Sequence, residues 1–213
     1  MPSFKHDYDR LVNKARVELP GVSDAGIKQA LFDVFHEFFT ETSVWKEDIE
    51  VPIVVGTTAY DLFPEEPGEI VRLFTVTNEN NTEQPAILSD DFSQVIIAYP
   101  VNVDQTYTVT VVKTVGLPIT RDAMPEVPEW VLARWSTAIF DGLLGNLMMQ
   151  KSKPYSDGQL AMYHLRRFRN ALTVARAAGL RRNTFGKNVW AYPQNFRVRG
   201  QKSGSSGNDR SFN

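Results

Sequence analysis

Three histidines, His6, His36 and His164, are the first places to look for acid-base or metal chemistry in this chain. His36-Glu37-Phe38-Phe39-Thr40 opens like the His-Glu-x-x-His motif of zinc hydrolases, in which two imidazoles one helical turn apart share a metal and the glutamate serves as base. Thr40 stands where the second imidazole belongs, so this is not a metal site. His164 falls on an apolar stripe with Ala161, Phe168, Leu172 and Ala175 and reads as a hydrogen-bonded packing histidine. The adjacent carboxylates Glu65-Glu66 and Asp90-Asp91 have the makings of an acid-base pair or a cation site, but turn residues flank both, and the reading is solvated loop charge. No Gly-rich phosphate loop, Gly-x-Ser-x-Gly elbow or Ser-x-x-Lys sequence occurs. Cysteine is absent, which excludes disulfides and thiolate metal sites. The expectation is a chain with no catalytic, cofactor or metal site, not an enzyme, that acts by binding.

Charge and aromatic residues point to where it binds. The net charge of −2 hides an asymmetry: residues 1–150 hold 10 Lys/Arg against 23 Asp/Glu, whereas residues 151–213 hold 13 against 2. Such a division suggests either a basic segment for nucleic acid or two surfaces that complement each other between copies. In the basic part, Arg166, Arg169 and Arg176 lie within about a 100° sector of one helix at about 3.6 residues per turn, away from its apolar stripe and free to face a neighbour. Beyond Gly179, Phe185, Trp190, Tyr192 and Phe196 are interleaved with Arg181, Arg182, Lys187, Arg197 and Arg199 without a sustained period. Large aromatics with no local partner are usually buried against another chain or wrapped over the protein's own helices. The same alternation of rings and cations suits a basic nucleic-acid-binding protein acting through residues 151–213. Against that alternative, the surplus acid of residues 1–150 would repel a polyanion.

The elements that must hold these residues are legible from periodicity. The centre of the chain is a helical hairpin over residues 128–179. Its first helix, over residues 129–150, has Val131, Leu132, Trp135, Ile139, Leu143 and Leu147 at helical spacing and a second apolar row of Phe140, Leu144 and Met148. Ser156 with Gln159 reads as a capping box for the second helix, and Gly179 as its C-cap. Residues 7–19 predict a short helix stopped by Pro20-Gly21, and residues 24–42 a longer one capped by Ser23 or Asp24, with Ile27, Ala30, Leu31, Val34, Phe35 and Phe38 on one face. Between the helices the period falls to two. Residues 48–54, 58–62, 69–77, 84–88 and 106–114 read as strands, with Gly56-Thr57, Pro67-Gly68 and residues 78–81 as turns at hairpin spacing. Residues 92–99 fit either a strand or a short helix.

The fold class expected is α+β: a four-helix bundle with an inserted antiparallel β module and an extended C-terminal arm. The divisions fall at residues 1–44 and 119–180 for the bundle, 45–118 for the module and 181–213 for the arm with its flexible Gly/Ser-rich end. No signal-peptide run and no eighteen consecutive apolar residues occur, so no membrane is expected and the site of synthesis is the cytoplasm.

The order of these elements, with Val127-Pro128-Glu129-Trp130 opening a Trp-bearing helix and Lys153-Pro154-Tyr155-Ser156-Asp157 leading through Leu160-Ala161-Met162-Tyr163-His164 into an Arg-rich helix, resembles the head-to-tail connector or adaptor proteins of tailed bacteriophages. The likeness covers about residues 20–180 and is similar in layout to the ring-forming adaptor called tail tubular protein A or gatekeeper. The resemblance implies a structural virion protein at the head-tail junction, assembled in the host cytoplasm. It implies a ring, commonly of twelve copies, between the portal protein and the tail nozzle or tail tube protein, around a channel that DNA crosses without specific binding. Portal or subunit contacts then fall to Arg166, Arg169, Arg176, Phe185, Trp190, Tyr192, Phe196, Arg197 and Arg199.

Overall fold

The computed structural model describes residues 4–5, 9–116, 124 and 126–181. Two helices open the fold, α1 (Asp9–Glu18) and α2 (Asp24–Thr42). Leu11, Val12 and Ala15 are the buried side of α1, and Ile27, Leu31, Val34, Phe35, Phe38 and Phe39 that of α2. Ser23 is the α2 N-cap, its hydroxyl accepting from the Gly26 N–H at 3.2 Å. Arg16 donates to Asp24 (Nε to Oδ1, 2.7 Å) and so ties the end of α1 to the start of α2. At the other end Ser43 adopts a left-handed φ of 53° and donates its N–H to the Phe39 carbonyl, which turns the chain directly into the first long strand.

Among the described residues are eight strands, five where the period-two reading places them, one in the ambiguous stretch and two short ones, at 4–5 and 127–128, that the reading does not include. They are β1 (Phe4–Lys5), β2 (Lys46–Ile53), β3 (Ala59–Asp61), β4 (Glu69–Asn78), β5 (Ala86–Leu88), β6 (Gln94–Ile97), β7 (Gln105–Thr114) and β8 (Val127–Pro128). All pairs are antiparallel, in sheets ordered β2-β7-β4 and β3-β6-β5, with β1 against β8. The turns at residues 56–57 and 67–68 therefore join strands that do not pair, whereas at residues 78–81 the chain does turn back, with Thr77 bridging Glu83 and the Asn78 N–H donating to the Thr82 carbonyl at 3.1 Å. The strand next to β2 is β7, with Lys46 opposite Val112 and Ile53 opposite Gln105, because β7 is apolar enough to be the central strand and its neighbours in sequence are not. The ambiguous stretch resolves as β6, whose Val95 and Ile97 are buried on one face while Gln94 and Ile96 are not.

Helices α3 (Glu129–Met148) and α4 (Gly158–Arg181) form the hairpin. Two expectations at its ends are corrected. The capping residue is Asp157, whose Oδ1 accepts from the N–H groups of Gln159 and Leu160 at 3.0 Å, while Ser156 uses its hydroxyl on the Gln150 carbonyl. A carboxylate next to the first turn also favours the helix dipole, so it outcompetes the serine. Asp157→Ala should therefore lower stability by about 1 kcal/mol by urea unfolding, and Ser156→Ala by less; the reverse order would return the cap to Ser156. Gly179, expected as the helix end, lies inside α4, which runs on through Arg181. It is glycine for close approach: a Cβ there would sit 2.6 Å from the Thr42 carbonyl oxygen, and the Gly179 carbonyl accepts from Lys46 Nζ at 2.9 Å. Arg181 thus belongs to the helix, and the rest of the arm expected over residues 181–213 lies outside the described residues.

The fold is mixed α+β, with two apolar cores. One gathers α1, α2, α3 and α4 around Phe35, Phe38, Ile139, Leu143, Leu147 and Phe168. The other lies between the two three-stranded sheets, around Val51, Ile53, Val76, Val95, Ile97, Tyr107 and Val109. Trp45, 1% exposed, stands where α2 gives way to β2 and packs on Phe39 with ring centroids 5.1 Å apart. Among the described residues no helix is long and apolar enough to cross a membrane.

Glu66 is not the solvated charge its neighbours suggested. It accepts from the Trp45 indole N–H at 3.1 Å, and its carbonyl accepts from Lys113 Nζ. Lys113 is fully buried and pairs with Glu47 at 2.6 Å; the other Glu47 oxygen accepts from the backbone N–H groups of Glu65 and Glu66. Asp91 does belong to an exposed turn. Hydrogen bonds from the Ser89 hydroxyl and from the Ser93 hydroxyl and N–H hold its carboxyl down at about 2, so it stays charged through any physiological range.

Candidate functional site

The basic helix α4 contains five arginines and no acidic residue. It can lie close to α3 because α3 offers glycines on the facing side: a Cβ on Gly142 would meet Phe168 at 3.1 Å and Val34 at 2.9 Å, and one on Gly145 would meet Leu165 at 2.7 Å. Between them projects Asp141, buried in an otherwise apolar stretch of α3. It accepts from His164 Nδ1 at 2.8 Å and faces Arg167 Nε at 3.2 Å, so its charge is met from both sides. His164 is the hydrogen-bonded packing histidine expected, and Asp141 is its partner. The pair has the orientation of a catalytic Asp-His dyad, yet Nε2 has no hydrogen-bond partner among the described residues and no hydroxyl is in place to be activated. Its action is to clamp α4 to α3. The sequence carried one signal for it: Asp141 is the sole charge between Arg134 and Met148.

The three arginines of the expected interface face do not share one role. Arg176 is not free: its guanidinium donates to the Glu41 carbonyl at 2.8 Å and to the Glu41 carboxylate at 2.5 Å. Arg169 lies near Glu37, whose carboxyl is lifted above its ordinary value by burial, with Arg169 opposing the shift and Glu41 adding to it. These residues sew α4 to α2, because Glu37 and Glu41 recur one turn apart on α2 beside the α4 arginines. Arg166 is exposed and has no ionic partner among the described residues. Of the other expected contact residues, Phe185, Trp190, Tyr192, Phe196, Arg197 and Arg199 lie outside the described residues.

A surface that sequence reasoning missed lies beside this seam. Trp130, Ala133, Arg134 and Trp135 of α3, Val174, Ala177, Ala178 and Gly179 of α4, and Val44 line an apolar groove of about 1020 Å³. Val174 is 61% exposed in it, and the Arg134 guanidinium lies over the Trp135 ring at 5.2 Å. Trp135 packs on Phe38 with centroids 5.8 Å apart, and its buried indole N–H has no hydrogen-bond partner among the described residues. Helical period places Trp135 on the apolar side of its helix but does not show that a groove opens beside it.

Among the described residues no cluster of His, Asp or Glu has the arrangement of a metal site. The geometry offers recognition surfaces, an apolar groove and an exposed arginine, and residues 45–116 carry a surplus of acid, 12 Asp/Glu against 3 Lys/Arg. Compared with known proteins, the chain matches no family model and no curated protein.

Proposed function

We propose that this chain is a non-catalytic connector, a structural virion protein of a tailed bacteriophage that forms a ring between the portal and the tail and leaves a channel for DNA. The observation that carries the reading is the apolar α3/α4 groove at the end of α4 from which the basic, aromatic C-terminal sequence continues. An apolar groove, with the exposed Arg166 elsewhere on the same helix and an acid-rich sequence at the other end of the chain, supports contacts between unlike surfaces of neighbouring copies, the kind of contact that closes into rings. On this reading the four helices act as one bundle, the strands are a module inserted into it, and residues beyond Arg181 are an arm that docks on the portal or a neighbour.

Mass photometry of the purified chain, alone and mixed with a portal ring, tests the proposal. Ring-sized particles should appear on the portal, and Val174→Glu should prevent them while leaving thermal unfolding unchanged, since Val174 is exposed. No assembly, together with tight double-stranded DNA binding that weakens steeply with salt, would replace the connector by a nucleic-acid-binding protein acting through residues 151–213.

A further inference from the structure

The apolar groove beside Trp135 has room because small residues line it. Ala133 of α3 and Ala177, Ala178 and Gly179 of α4 stand where larger side chains would fill the space between the helices. A second depression of about 310 Å³ adjoins it, bringing in Thr137, Arg167 and Asn170, all exposed. Arg134 and Trp135 line both, and the Trp135 indole N–H is a buried donor without a hydrogen-bond partner among the described residues. An apolar slot therefore ends in a cluster of hydrogen-bond donors, two of them guanidinium groups. Among the described residues the one acid lining either depression is Asp141, which is buried and already met by His164 and Arg167. Arg134 is exposed and has no ionic partner among the described residues. A group that fits this surface is apolar and stands beside carboxylates.

The β region presents such a group. Phe63 is 76% exposed, and Asp61, Pro64 and Glu65 beside it are exposed as well. Asp61 accepts from the neutral Gln94 amide at 2.7 Å, and Glu65 has no ionic partner among the described residues, so neither charge is neutralised. The sequence around them adds to that charge, since residues 47–71 hold 7 Asp/Glu and no Lys/Arg. The loop is held on both sides. Leu62 is buried in the β core and donates its N–H to the Ser93 carbonyl at 2.8 Å; the N–H groups of Glu65 and Glu66 donate to Glu47 at 2.6 and 3.2 Å; and Pro64 between them has a fixed φ. A ring already held in place loses little conformational freedom on docking, which makes it an effective anchor. The other exposed rings fit less well. Tyr99 and Tyr163 have no carboxylate within four residues in sequence, and Phe92 lines a groove of its own molecule, with its neighbour Asp91 bound by Ser89 and Ser93.

We propose that the α3/α4 groove receives the Phe63 loop of a second copy, with the Phe63 ring in the apolar half and Asp61 and Glu65 toward Arg134 and Arg167. Opposite charge and matching polarity select this occupant. The anchors on either side of Phe63 hold it out of the groove of its own molecule, whose lining it does not join, so another molecule must supply the loop. A loop on one copy and a groove on the next make a heterologous contact, in which each copy uses its loop on one neighbour and its groove on the other. The inference deepens the connector reading and rests on it for closure into a ring, although the contact itself needs no portal.

Photochemical crosslinking in the full chain tests it. p-Benzoylphenylalanine in place of Phe63 keeps an aromatic side chain there and, under near-ultraviolet light, bonds to the C–H groups it touches. Chains containing it are mixed with isotope-labelled chains of the natural sequence and irradiated, alone at rising concentration and with a portal ring. Crosslinks should join unlabelled to labelled chains and map to residues 130–135 and 174–179. Arg134→Glu in the labelled chain should lower their yield about fivefold or more. Glu65→Arg in the photoreactive chain should then restore part of it, a recovery that a misfolded variant would not show. Crosslinks that map elsewhere, that stay within one chain or that Arg134→Glu leaves unchanged would overturn the proposal, and so would none under either condition. Groove crosslinks without ring-sized particles on the portal would uphold the contact and sink the connector reading; rings without groove crosslinks would do the opposite.

Discussion

Lys113→Met should lower the free energy of unfolding by about 3–5 kcal/mol, read from urea denaturation with an unchanged slope. Lys113 is fully buried, and its ammonium is held by Glu47 at 2.6 Å, by the Glu66 carbonyl and by the face of Trp45 at 5.6 Å. Removing it strands the Glu47 carboxylate, itself 8% exposed, in a low-dielectric site. The methionine is close in volume, so the loss measures charge and not a cavity. Replacing both partners, Lys113→Met with Glu47→Leu, separates two effects. A simple buried ion pair would return to wild-type stability, since the desolvation cost of such pairs offsets most of their attraction. Here Glu47 also accepts from two backbone N–H groups, and orphaning each costs about 1–3 kcal/mol. The double variant should remain below wild type. A single-variant loss under about 1 kcal/mol would mean that Lys113 reaches water.

Gly68→Val should cost a comparable amount, about 4 kcal/mol, from two causes that add. Gly68 has a φ of 101°, which a β-branched residue adopts only under strain, and a Cβ there would lie 2.6 Å from the Thr114 carbonyl oxygen and 2.7 Å from the Trp45 ring. Gly56 isolates the first cause. Its φ is 83° but nothing lies within 4 Å of its Cβ position, so Gly56→Val should cost only the backbone part, about 1–3 kcal/mol. Equal losses at the two sites, by thermal or urea unfolding, would show that both the Trp45 ring and the Thr114 backbone have room to move. A larger loss at Gly68 shows that the Thr114 backbone and the Trp45 ring, which lies between the loop before β4, the buried lysine and α2, hold their places.

Local patterns in the sequence determined the elements. The apolar spacing of Ile27 to Phe39 and of Val131 to Leu147, the Ser23 cap and the alternation in β2 and β7 each arise within a few residues, where period and capping chemistry act. His164 could be read as a packing histidine for the same reason. Tertiary structure alone decided what those elements meet. Glu47 and Lys113 are 66 residues apart, Glu41 and Arg176 are 135 apart, and no local rule distinguishes a carboxylate that will face water from one that will face a buried ammonium. Gly179 follows the same logic: as a sequence signal it marks a helix end, but the backbone of Thr42 and Ser43 lies against it, and the close contact, not the turn, is why a side chain is excluded. Strand partners were equally hidden, because pairing depends on which strand is buried on both faces, as most of β7 is, and that is settled only once the sheets have packed together.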